Sequence, residues 1–231
     1  MKKRLEIGLL VIIIIFSLTA CTNKEAIDFK KDYESLNNVV NQNDKKYRAV
    51  TIPKNNPFVK SNASEIIEKI SSGEKFYVYF GSPLCPWCRS IIEKSVEIAN
   101  NNGIDKIYYV DIWDEEGKEI LRDKYILDDS GKAIKTIDGT NEYTTLLEYL
   151  DEILPTYTYS SNKNGGVKLD VDEKRLYIPL FVYISKGKPV RSTNGLSELQ
   201  IEAQDELTPE IIAEEEKLFD DFFINVCDES C

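Results

Sequence analysis

The chain has 231 residues, with 40 acidic against 29 basic side chains, a formal net charge of −11 and no histidine. This balance argues against nucleic acid as a partner and against membrane contact through a basic face. The missing imidazole removes the metal sites that rely on histidine, while the length suffices for one domain with a substantial core.

In chain order, Met1, Lys2, Lys3 and Arg4 form a positive segment ahead of an apolar run from Leu9 to Leu18. About ten residues are too few for a comfortable membrane span, so residues 1–20 read as a secretion signal, with an uncleaved anchor helix as the other reading. The run ends in Leu18-Thr19-Ala20-Cys21, which resembles a bacterial lipobox. That resemblance implies cleavage before Cys21 and diacylglyceryl transfer to its sulfur. Either way the domain is expected outside the cytoplasm and held at the cell membrane, since two acyl chains are enough for stable anchoring.

Residues 21–56 are expected to form a tether and a helix. Ala26, Phe29, Tyr33, Leu36 and Val39 or Val40 recur at helical spacing, either as a helix packed on the domain or as a spacer. Phe58-Val59-Lys60 is a short strand. Asn62 with Glu65 has the spacing of a capping box, Ile66, Ile67 and Ile70 follow, and Gly73 suits the position just past the helix end. Lys75 to Gly81 reads as a strand buried on both faces. Ile91, Ile92, Val96 and Ala99 then mark a helix with Pro86 near its first position, ended by Asn102-Gly103.

Ile107 to Ile112 is a central strand with Val110 and Ile112 on one face and Tyr109 on the other. Ile120, Leu121, Tyr125 and Leu127 suggest a helix, and Asp128-Asp129-Ser130-Gly131 a loop. A firmer helix carries Tyr143, Leu146, Leu147, Leu150 and Leu154, capped near Asn141. Tyr157 to Ser160 and Val167 to Val171 are the arms of a hairpin turning at Asn162, Asn164, Gly165 and Gly166. Ile178 to Ile184 is a strand opened by Pro179. It turns at Lys186-Gly187-Lys188 into an edge strand with Pro189, where a missing N–H is tolerated. The last helix has Thr208 as N-cap, Pro209 at its first position, and Phe219, Phe222, Phe223 and Val226 on one face.

Chemistry concentrates at Cys85-Pro86-Trp87-Cys88, where the apolar strand gives way to the helix. A Cys-x-x-Cys pair holds zinc, carries copper or cycles between dithiol and disulfide. A structural zinc needs four ligands, and the only other cysteines are Cys21, Cys227 and Cys231. A thiol at a helix N-terminus is suited to redox work, because unpaired N–H groups and partial positive charge stabilise a thiolate. Cys85 is then the nucleophile and Cys88 the resolving thiol. A permanent disulfide across two residues would remove little unfolded-chain entropy. No metal or other cofactor is expected. Trp87 reads as apolar contact for a client chain. Cys227 and Cys231, four apart with Asp228 and Glu229 between them, fit either a local structural disulfide or a second dithiol exchanging with the first.

This order of elements over residues 57–226 resembles the thioredoxin fold, on two motifs: Cys85-Pro86-Trp87-Cys88 at a strand-to-helix junction, and Pro179 opening a strand that turns at Gly187. The resemblance implies an α/β domain over 57–231, a central mixed sheet flanked by helices, with residues 113–177 as a helical insertion between the third strand and the proline-led strand. It implies a cis Ile178–Pro179 bond facing the dithiol, with client bound across Ile178 and Pro179. It also implies a buried carboxylate six residues before the first cysteine, where this chain has Tyr79. The Pro-Trp dipeptide between the cysteines lacks the imidazole of strongly oxidising relatives.

Two functions follow. One is a membrane-anchored thiol–disulfide oxidoreductase acting on cysteines of secreted or membrane proteins and recycled by a redox partner protein. The other is an escort lipoprotein that binds a secreted partner without redox turnover. A copper carrier is a third and weaker reading, because the resemblance implies a distant histidine that the chain lacks.

Overall fold

The computed structural model describes residues 24–41, 44–114, 116–161 and 167–224. The expected secretion signal over residues 1–20, Cys21, Val226, Cys227, Cys231 and the expected hairpin turn at 162–166 lie outside the described residues. Among those described, no helix is long and apolar enough to cross a membrane.

The molecule is a mixed α/β structure. Helix α1 spans residues 24–34, followed by β1 (Phe58–Lys60), α2 (Ala63–Ser71), β2 (Phe76–Gly81), α3 (Pro86–Asn101) and β3 (Ile107–Asp111). Next come β4 (Lys124–Leu127), β5 (Ala133–Ile137), α4 (Asn141–Leu150), β6 (Thr156–Ser161) and β7 (Val167–Lys174). Strands β8 (Leu180–Ser185) and β9 (Lys188–Thr193) and helix α5 (Pro209–Phe223) complete the fold. The main sheet has the order β1-β3-β2-β8-β9. Strand β3 runs parallel to β1 and β2, whereas β8 is antiparallel to both β2 and β9.

Period-two alternation sorts the side chains of this sheet onto two faces. Tyr77 and Tyr79 of β2, Tyr109 of β3 and Phe181 of β8 join α1, α3 and α5 in one core. Val78, Phe80, Val110 and Val182 join α2 and α4 in the other. Both faces of the central strands are therefore covered, which is why their sequences read as nearly unbroken apolar runs.

Local signals set the helix ends. Asn62 caps α2 by accepting from the Glu65 N–H at 3.0 Å, but the reciprocal bond of a capping box is replaced by Ser61 Oγ donating to Glu65 at 2.7 Å. Thr208 caps α5 with Pro209 next to it, and Thr140 rather than Asn141 caps α4. Gly73, Gly103 and Gly187 take positive φ at their turns.

Two expectations are corrected. The first helix stops at residue 34 instead of running to Val39 or Val40, both of which are exposed; Asn38, at φ 68°, turns the chain. The part that does form is no spacer: Phe29 stacks on Phe58 with centroids 4.2 Å apart, and Tyr33 is fully buried. The segment 113–177 is not a helical insertion either, for its only helix, among the described residues, is α4, set between two hairpins. The stretch 120–127 forms no helix, and its second half is β4. Tyr125 and Leu127 are two apart, the spacing of a strand, and Asp128 ties the turn by accepting from the N–H groups of Ser130 and Lys132, both at 2.9 Å. Strands β6 and β7 form the expected hairpin. Arg175, paired with the buried Asp123, lies 4.1 Å over the Tyr157 ring and joins this hairpin to the first.

Candidate functional site

The register of the sheet decides what stands beside the dithiol. Phe80 of β2 is opposite Leu180 of the antiparallel β8, so the start of β8 lies at the end of β2 from which the Cys85 loop emerges. Ile178–Pro179, one step before that start, is a cis peptide bond, as the resemblance implied. Ile178 packs against the same core cluster that holds Cys85 and Cys88, and so does the half-buried Trp87. The fold thus brings together Cys85, Trp87, Cys88 and Ile178.

Cys85 is the N-cap of α3, with Pro86 at the first helical position. Its Sγ accepts from the Cys88 N–H at 3.4 Å, the position in which a capping side chain satisfies an otherwise unpaired helix donor. Both thiols are free, with Cys85 4% exposed and Cys88 fully buried. Their acidities are driven apart. The Cys85 thiol is lowered below its ordinary value by a hydrogen bond from the Cys88 side chain, which outweighs burial, with help from the Cys88 and Trp87 N–H groups and the charge of Arg122. Cys88 is raised well above its ordinary value by burial and then by the neighbouring Cys85. Both shifts act in the same sense, favouring the thiolate at Cys85 over the thiolate at Cys88.

Two arginines support this arrangement, and the sequence marked neither. Arg89 is fully buried. It donates to the carbonyls of Arg48 at 2.7 Å, Tyr33 at 2.8 Å and Pro83 at 3.3 Å, and to Asn37 Oδ1 at 2.9 Å. It therefore fixes the loop before Cys85 to the end of α1. Arg122 forms an ion pair with Glu119 at 2.6 Å and donates to the Leu176 carbonyl at 3.2 Å, tying the stretch before β4 to the one that leads into Ile178–Pro179. The sequence shows only an arginine directly after the Cys-x-x-Cys pair, with nothing to tell that it is buried, and nothing local marked Arg122.

Beneath the dithiol lies a buried group of hydroxyls. Tyr33 and Tyr79 have their Oη atoms 2.9 Å apart, and Tyr109 donates to Asp111 Oδ2 at 2.9 Å. Burial raises all three phenols well above their ordinary value, and it also raises the Asp111 carboxyl despite its hydrogen bonds from the Trp113 N–H, Ser82 and Tyr109. Beside the Pro83-Leu84 shoulder opens a cleft of about 700 Å³, with Leu36, Leu84, Val110, Trp113 and Ile120 among its walls. No group of three or more Cys, Asp or Glu side chains is placed to hold a metal ion among the described residues.

Comparison of the sequence with protein-family models and with curated proteins finds no match.

Proposed function

We propose that this protein is a thioredoxin-like thiol–disulfide oxidoreductase, held at the outer face of the cell membrane by lipid on Cys21 and acting on cysteines of secreted or membrane proteins. The observation that carries the reading is the division of labour between Cys85 and Cys88: a capping sulfur lowered in pKa and a buried one raised, three residues apart at the mouth of a helix. A mixed sheet flanked by helices, with cis Ile178–Pro179 at the same sheet end as the dithiol, supports the thioredoxin-like assignment. Trp87 and the cleft beside Leu84 offer apolar contact to an extended client segment.

The step is an exchange of sulfur bonds. The Cys85 thiolate attacks a client disulfide and releases one client thiolate. Cys88 then attacks Cys85 Sγ, closing the intramolecular disulfide and freeing the second client sulfur; the reverse sequence oxidises a client dithiol. With Pro86-Trp87 between the cysteines, no cationic side chain from the dipeptide adds to thiolate stabilisation.

A Cys88→Ser variant is expected to accumulate a mixed disulfide through Cys85, which names the client, and Cys85→Ser is expected to be inert. The reduction potential of the pair sets direction: about −270 mV marks a reductant and about −120 mV an oxidant. The 4% exposure of Cys85 is the one feature that favours an escort without turnover. That reading wins if the double serine variant retains its partner and its cellular role.

A further inference from the structure

The cleft beside the Pro83-Leu84 shoulder carries mostly one sign of charge. Asp111 and Asp114 line it at and beyond the end of β3, Glu142 from the first turn of α4 and Asp32 from α1. Against these four carboxylates stands Lys60, the one cation of the lining among the described residues, 3.7 Å from Asp32. The walls between the charges are apolar, with Leu84, Trp113 and the exposed Ile120 among them.

These walls are fixed by their own hydrogen bonds. The Leu84 N–H donates to Ser82 Oγ at 3.3 Å, and Arg89 holds the Pro83 carbonyl at the same distance. The Trp113 N–H donates to Asp111 at 3.0 Å and its indole N–H to Glu119 at 3.1 Å, while Asp114 accepts from the N–H of Lys118 at 2.8 Å. A site already in shape binds with little further ordering. Its place is equally definite. Leu84 precedes Cys85, so one wall ends a single Cα step, about 3.8 Å, from the reactive residue.

We propose that this cleft is a client-recognition subsite that takes an apolar side chain flanked by lysine or arginine. The inference deepens the oxidoreductase reading and rests on it. An extended chain rises about 3.3 Å per residue, which puts the recognised side chain about two to four residues from the client cysteine that meets Cys85. An aliphatic group gains from burial against Leu84, Trp113 and Ile120. Its cationic neighbours meet carboxylates in a concave setting that strengthens attraction and repels an acidic client. Lys60 offsets only one of the four acids. The wall at Asp32 comes from α1, outside the span 57–226 on which the resemblance rests, so the subsite is a property of this chain and not of the resemblance.

The test uses the full chain with Cys85→Ser and Cys88→Ser, which reads binding without exchange, and with Trp87→Phe, which leaves Trp113 in the cleft wall as the sole tryptophan. Its fluorescence is titrated with the synthetic peptide Gly-Lys-Leu-Lys-Gly-Ser-Gly, with serine in place of the client cysteine, with a form carrying glutamate for both lysines, and with a form carrying serine for leucine. The lysine peptide is expected to bind about tenfold more tightly than the glutamate peptide and about fivefold more tightly than the peptide without leucine, and to lose its advantage over the glutamate peptide at about 1 M salt. Glu142→Lys is expected to cut the charge preference about fivefold or more, whereas Asp105→Lys, exposed before the opposite end of β3, changes it less than about twofold. No binding of the lysine peptide, equal binding of the two charge forms, indifference to leucine, or an equal effect of Asp105→Lys and Glu142→Lys overturns the proposal. Should Glu142→Lys fail to fold, Ser64→Lys, at an exposed position of the same cleft, must lower the preference likewise, and no change there has the same force. The redox reading is judged apart, in the unaltered chain, with the same peptides carrying a disulfide in place of the serine. Binding by charge without exchange sinks the oxidoreductase and leaves the cleft as a site for such segments, while exchange at equal rates with both charge forms sinks the subsite alone.

Discussion

Arg89 Nη1 donates to the Tyr33 carbonyl at 2.8 Å, joining the helix of the dithiol to the C-terminal end of α1. The same guanidinium holds Pro83, two residues before Cys85, so the first helix and the reactive loop share one support. Arg89→Ala leaves buried carbonyls at Arg48, Tyr33 and Pro83 without this donor, and each unpaired buried acceptor costs about 1–3 kcal/mol. We expect a total loss of about 3–5 kcal/mol in urea unfolding, with Arg89→Lys intermediate because one ammonium cannot span the same acceptors. A loss under 1 kcal/mol would show that water replaces the guanidinium.

The two thiols should differ in reactivity. With Cys85 below its ordinary value of 9.0 and Cys88 well above it, limited iodoacetamide at pH 7 should label Cys85 and spare Cys88 in a peptide map. Equal labelling contradicts the division of labour. The linkage has a definite sign: a depressed thiol pKa in the folded state favours the fold above the unfolded value and loses that contribution as pH falls through the folded one. Reduced protein should therefore gain stability over Cys85→Ser on going alkaline.

Glu215 is 1% exposed, its Oε1 has no hydrogen-bond partner among the described residues, and burial raises its pKa to about 7 against the partial relief of Arg48 and Lys94. For an acid raised on folding, the stabilising contribution is complete below the unfolded value and disappears as pH rises through the folded one. The affected window runs from 4.5 to about 7. Glu215→Gln should match wild type near pH 4 and exceed it by about 2 kcal/mol at pH 8, after allowance for screening. A difference independent of pH would mean that folding leaves the carboxyl's pKa unshifted.

Gly81 is held to its identity by Tyr79. An alanine Cβ there would meet the tyrosine ring and hydroxyl at 2.2 Å, and the ring is stacked too closely between Tyr109 and Phe181 to move freely. Gly81→Ala should cost about 1–3 kcal/mol, the range for overfilled cores, and should perturb the Tyr79 ring signals by NMR. Unshifted signals would show that the backbone yields instead.

Short-range chemistry was enough to place much of this molecule from its sequence. Caps at Asn62 and Thr208, the proline after Cys85, the glycines after α2 and α3 and the period of two in β2, β3 and β8 act over a few residues, so the strands and helices that carry Cys85, Cys88 and Pro179 were legible. The segment 120–127 was misjudged because four apolar residues fit a helix and a strand about equally, and the turn at Asp128 decided between them. What only the tertiary structure settled are contacts between distant positions: Tyr33 meets Tyr79 across 46 residues, Arg89 reaches Tyr33 across 56, and the register of β8 on β2 sets Pro179 beside the dithiol loop. Periodicity and capping record which way a side chain faces, whereas the identity of its partner depends on how the layers close. The sequence alone therefore pointed to the residues proposed to carry the chemistry, and the packed core decided which groups surround them.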